Sequence, residues 1–156
     1  MSHAEKAGHR YWALIEPSWV LLNDTWSRGV DEFLAASRDV SPRVLHLYAA
    51  HWCQSEVNNG GFHQFFHNST GILAPEGVDA FSAIGLLEWS SLLSEATAYF
   101  GTPYPRERAV RLRRLPRANG PRAQWDPFAA LDDKFYSSGD ADRWESVADA
   151  YAVSAA

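Results

Sequence analysis

A chain of 156 residues with 46% hydrophobic side chains, among them 7 Trp, 6 Tyr and 8 Phe, holds enough apolar mass for one sizeable core, which excludes general disorder. A formal net charge of −5 disfavours a general nucleic-acid binder, and a lone cysteine, Cys53, excludes an intramolecular disulfide and a thiolate zinc cage. No apolar run approaches the roughly eighteen residues a membrane span needs, and Met1–Arg10 lacks the apolar core of a signal peptide, so the expected location is cytoplasmic.

Taken in chain order, the pattern is helical almost throughout. Ala4 to Ile15 reads as a first helix that Pro17 ends or bends, because proline disfavours a helical residue before it. Ser18 to Trp26 resumes with Trp19, Leu22 and Trp26 at helical spacing, and Val30 to Ala36 forms a short third element. Ser41-Pro42 is a start signal, a serine cap followed by proline at the first helical position. Val44, Leu45, Tyr48, Trp52 and Cys53 then recur at three- and four-residue steps, predicting a helix to about Val57 that stops at Asn58-Asn59-Gly60-Gly61.

A short helix from Phe62 to Asn68 follows, stopped by Ser69-Thr70-Gly71. Pro75 opens a helix over Glu76 to Ile84 with Gly85 as its left-handed cap, and Leu86 to Phe100 is amphipathic. Beyond Pro103 and Pro105 come an arginine-rich element, Arg106 to Leu115, and a loop from Pro116 to Pro121. Asp126-Pro127 starts a helix through Tyr136, and Asp140 to Val153 forms the last. Strand patterns, repeats and linkers are missing, so the expectation over 1–156 is a single all-α domain of short helices joined by tight Gly/Asn turns.

Charge is unevenly spread. The arginines Arg106, Arg108, Arg111, Arg113, Arg114, Arg117 and Arg122 stand against Glu107 alone, between two acidic stretches. Either they face outward toward phosphate or they pair internally with Asp132 and Asp133. No aromatic platform or reading helix accompanies them, so direct nucleic-acid binding is not favoured. The C-terminal acids Asp132, Asp133, Asp140, Asp142, Glu145 and Asp149 are the candidate acidic face for a partner, with Asp142, Glu145 and Asp149 on one helical stripe.

Residues 56–71 have a composition that neither helix nor strand propensity calls for, and three readings compete for them. In the first, Asn58 to Gly61 turn the chain, the phenylalanines fold back, and Gln64 and Asn68 bond backbone groups freed by the turn. In the second, Glu56, Asn58, Asn59, Gln64 and Asn68 form a ligand pocket. In the third, His63 and His67, four apart, join Glu56 or His51 on a metal; the histidine–glutamate pattern of zincins is absent, and no metal is expected.

The run Glu56-Val57-Asn58-Asn59-Gly60-Gly61-Phe62, with Gln64-Phe65-Phe66 and Asn68-Ser69-Thr70-Gly71, resembles the signature of a small bacterial all-helical family whose characterised member is a nineteen-kilodalton DNA-mimic protein. Ala130-Leu131-Asp132-Asp133-Lys134-Phe135-Tyr136 resembles that family's second motif, and the likeness spans about residues 40–150. It implies a cytoplasmic protein without established catalysis whose characterised relative uses an acidic surface to occupy the DNA-binding face of a repressor. Such a surface must compete with duplex phosphate for the same Lys and Arg, and the arginine block is the feature at odds with it.

Catalysis finds little footing. Cys53 sits on an apolar helix face, and there is neither a nucleophile elbow nor a phosphate-cradling glycine loop. The function expected is therefore non-enzymatic protein binding, with no cofactor and no membrane partner. The candidate partners are a DNA-binding transcription regulator and a second copy of this chain. The alternative is a small-ligand-binding or hydrolytic protein that uses the Glu56–Asn68 cluster.

Overall fold

A computed structural model of the chain describes residues 8–155, and these form an all-α domain. The helices are α1 (Arg10–Thr25), α2 (Val30–Arg38), α3 (Pro42–His67), α4 (Ala74–Ile84), α5 (Leu87–Ala98), α6 (Arg108–Arg114), α7 (Arg122–Trp125), α8 (Ala129–Ser137) and α9 (Gly139–Val153), with a 3-10 turn at Ser69–Leu73. The part of the expected first helix before residue 8 lies outside the described residues.

The long α3 runs through the middle, with α1, α4, α6, α8 and α9 packed on it. Its consecutive buried residues Leu47, Tyr48, Ala49, Ala50 and His51 explain this placement, since a helix apolar around most of its girth must be covered on most sides. The core joins Tyr48, Cys53, Val57, Phe62, Phe65 and Phe66 of α3 to Phe81 of α4, Trp89 of α5 and Phe135 of α8. Trp89 and Phe135 stack with centroids 4.2 Å apart. Burial pushes the Cys53 thiol well above its ordinary pKa, so it behaves as an apolar filler.

Local signals place several boundaries. The Ser41 hydroxyl accepts the Val44 N–H at 3.3 Å with Pro42 in the first turn of α3. Gly85 closes α4 in the left-handed conformation, φ +94°. Ser138 caps α9 by accepting the Asp140 N–H at 3.1 Å.

Two expectations are corrected. Of the two outcomes expected at Pro17, an end or a bend, the end is excluded: α1 continues through it to Thr25. Proline removes one backbone bond, that to the Ala13 carbonyl, and both Pro17 and Ala13 lie on the exposed side, where water meets the freed oxygen. The four-residue α7, set between the Pro116–Pro121 loop and α8, has no counterpart in the sequence reading.

Candidate functional site

The break in α3 comes from Gly60 and Gly61 alone, with Asn58 and Asn59 still helical before it. Gly61 adopts φ +77°, ψ 179°, a region that is essentially glycine-only. A Cβ there would run into the side chains of Arg122 and Asp132. The kink exposes backbone groups that a straight helix would pair, and the second motif, together with Arg122, supplies their partners. Phe62 N–H donates to Asp132 Oδ1 at 2.8 Å, and Tyr136 O–H donates to the Val57 carbonyl at 2.7 Å. Arg122 donates to the Gly60 carbonyl at 3.4 Å, to Asp126 at 2.8 Å and to Asp132. The two motifs are therefore two halves of one clamp.

Asp132 thus belongs to the interior, with 2% of its surface exposed, and not to an acidic partner face. Burial raises its pKa to about 6 against the opposing pull of the Phe62 N–H and the Arg122 guanidinium.

The far end of α3 is held by arginines. Its last carbonyls lack intrahelical donors. Arg111 Nε donates to Phe66 O at 2.9 Å, its Nη2 to Asn68 O at 3.0 Å and its Nη1 to Pro105 O and Arg106 O. Arg108 Nε reaches His67 O at 2.7 Å. Arg106 grips Glu76 through two nitrogens at 2.7 and 2.9 Å, and Arg114 donates to Phe100 O. Pairing is internal, as one sequence alternative held, but its partners are carbonyls, Glu76, Asp126 and Asp132; Asp133 takes no part. Arg113 and Arg117 stay exposed, with no bond among the described residues.

On the outer side of α3 the polar cluster assembles around one carboxylate. Glu56 Oε2 accepts Gln64 Nε2 at 2.7 Å and Asn68 Nδ2 at 3.0 Å, while Oε1 accepts Thr70 Oγ1 at 3.0 Å. Asn58 Nδ2 donates to Gln54 Oε1 at 3.1 Å, and Asn59 is exposed beside them. Glu56, Asn58, Asn59, Gln64 and Asn68 all line an open concavity of about 660 Å³. The expectation that Gln64 and Asn68 serve the freed backbone is overturned: their amide nitrogens serve Glu56, because Asp132, Arg122 and Tyr136 already meet the kink. His63, taken as a candidate ligand, bonds the Pro116 carbonyl at 3.0 Å and packs edge-on against Trp125.

The remaining acids divide in two. Asp140 is 3% exposed and holds the first turn of α5, accepting Trp89 N–H at 3.1 Å and Arg143 at 3.3 Å. It too leaves the acidic face. Asp149 anchors the start of α1, accepting Tyr11 N–H at 3.0 Å and facing His9 at 3.1 Å, with Glu145 3.6 Å from the same imidazole. Asp133 and Asp142 are exposed, and Glu145 keeps 41% of its side-chain surface in solvent.

The sequence reading overlooked Thr70 and gave no individual part to Arg111. Thr70 gives no local signal. Arg111 gives one: it stands four residues before buried Leu115, in an apolar register that a surface arginine would not occupy. A family model described as DMP19-like protein matches residues 38–154. No curated protein and no solved structure gives a match.

Proposed function

Given that the chain belongs to the DMP19-like protein family, we propose that it works by binding a basic protein partner, a DNA-binding regulator, through the acids that remain on its exterior. The observation that carries this reading is the pairing of part of the arginine block within the fold: Arg111 is buried, and Arg106 and Arg122 are ion-paired with Glu76, Asp126 and Asp132. Arg106, Arg108, Arg111, Arg114 and Arg122 all donate to carbonyls or carboxylates of the fold. Three of the seven arginines are thereby buried or paired with carboxylates, while Arg108, Arg113, Arg114 and Arg117 remain exposed cations.

Asp133 and Asp142, with the partly exposed Glu145, are the C-terminal acids left to meet a partner's Lys and Arg. Exposed Asp31 and Glu32 open α2, where negative charge also favours the helix N-terminus. Exposed charge pairs are screened over about 8 Å at 0.15 M salt, so attraction of this kind weakens as salt rises. The test is retention of partners from native lysate on immobilised protein at low and physiological salt. A DNA-binding regulator held at low salt and shed as salt rises is the expected result. Retention indifferent to salt, or a retained set without such a regulator, overturns the reading.

A further inference from the structure

The concavity over Glu56 goes beyond the acidic-partner reading and does not depend on it. Its volume of about 660 Å³ is that of a small-molecule or side-chain pocket. Its walls carry several acceptors besides the buried Trp52 Nε1–H donor. Gln64 and Asn68 give their N–H2 groups to Glu56, which leaves their side-chain oxygens without a donor among the described residues, that of Gln64 lying against Gly60. Asn58 gives its N–H2 to Gln54, which leaves its oxygen unused as well. The Glu56 carboxylate offers about four lone-pair sites, of which three are taken.

The charge of Glu56 is balanced by no ion pair among the described residues: its three partners are neutral amide and hydroxyl groups. Arg108 lines an adjoining concavity that shares Trp52, Glu56 and Asn68, but its Nε is committed to His67 O and it forms no ion pair with Glu56. Trp52 gives the Glu56 concavity an aromatic wall. A lone carboxylate, several separated amide oxygens and an indole together match a flat cation with many N–H groups better than a compact ammonium. We propose that the Glu56 concavity binds a guanidinium group, carried either by a free arginine-like compound or by an arginine side chain of a peptide.

The experiment titrates the full chain with arginine amide, with citrulline amide as the neutral isostere, and with an end-blocked Gly-Arg-Gly peptide. Binding is followed through the side-chain amide NMR signals of Asn58, Asn59, Gln64 and Asn68. Saturable shifts with arginine amide, at least about tenfold weaker with citrulline amide, are expected; tenfold corresponds to about 1.4 kcal/mol. Tighter binding of the amide assigns the site to the free compound, tighter peptide binding assigns it to a side chain, and equal binding supports recognition of the guanidinium alone. Glu56→Gln should weaken arginine amide at least about tenfold. Should that variant fold poorly, Asn59→Lys places a tethered cation at an exposed wall position. It should weaken binding equally while leaving the melting temperature unchanged. No saturable shift, equal binding of citrulline amide, or undiminished binding by the folded variants overturns the proposal.

Discussion

Arg111 is the residue on which the most backbone depends. Its guanidinium is 0% exposed and faces four carbonyls without a carboxylate, so burial lowers its pKa while the fixed dipoles of those carbonyls keep it charged. Only a planar fork with five donors reaches all of them from one position. Arg111→Lys keeps the charge but supplies three donors at a single point, leaving carbonyls at the end of α3 unmet. Each buried polar group left without a partner costs about 1–3 kcal/mol. Arg111→Lys is expected to lower stability by about 2 kcal/mol or more, read as a lower urea midpoint at unchanged slope. Arg113→Lys, exposed on the same helix, should stay within about 0.5 kcal/mol of the parent. Equal, small effects for both would show that the Arg111 bonds add little.

At the scale of elements, the kink of α3 is a joint held by α7 and α8. Gly61 occupies a conformation closed to L side chains, and its missing Cβ makes room for Arg122 and Asp132. Strained backbone of this kind costs about 1–3 kcal/mol before any clash is added. Gly61→Ala should therefore destabilise by about 3 kcal/mol or more. Gly85→Ala, at φ +94° with open space around it, should cost only about 1–2 kcal/mol. Thermal melts of the pair settle the matter: equal losses would mean that the clamp yields freely to the new methyl group. This contrast also marks where the sequence was legible. Ser41-Pro42, Gly85 and the Gly60-Gly61 pair act through their own backbone, so their effects are local and readable. Asp132 and Asp140 bond N–H groups 70 and 51 residues away in the chain, on Phe62 and Trp89. No local pattern distinguishes such an acid from a solvated one: Asp140 reads as surface charge, and Asp132 as either surface charge or an internal partner of the arginines. Internal pairing of the arginine block is legible as an alternative, but most of its acceptors are not, since they are carbonyls that every residue carries. At Pro17 the local rule for a helix end is outweighed by the packing of the helix on both sides of it.

For the whole molecule, the family match begins at residue 38, yet α1 and all but the last residue of α2 precede it and are built into the same core. Tyr11, Trp12, Ile15, Leu22 and Phe33 are each at most 3% exposed. Trp19 stacks on Trp52 with centroids 5.1 Å apart, and Tyr11 reaches His51 at 3.2 Å. Burying one large apolar side chain is worth about 1.5–3 kcal/mol, so these residues together approach the roughly 5–15 kcal/mol by which a domain is stable. Removing residues 1–37 would also strip Asp149 of its bond to the Tyr11 N–H and bare the buried face of α3 around His51. The truncated chain is expected to lose its cooperative melt and to bind a hydrophobic dye, as exposed core surface does. A cooperative transition at the parent temperature would instead make the family-matched segment a folding unit in its own right. The Trp52 wall of the Glu56 concavity would then have to stand without Trp19 behind it. The same truncation therefore reports on both: if the N-terminal helices are integral, arginine amide binding at Glu56 should disappear together with the cooperative melt.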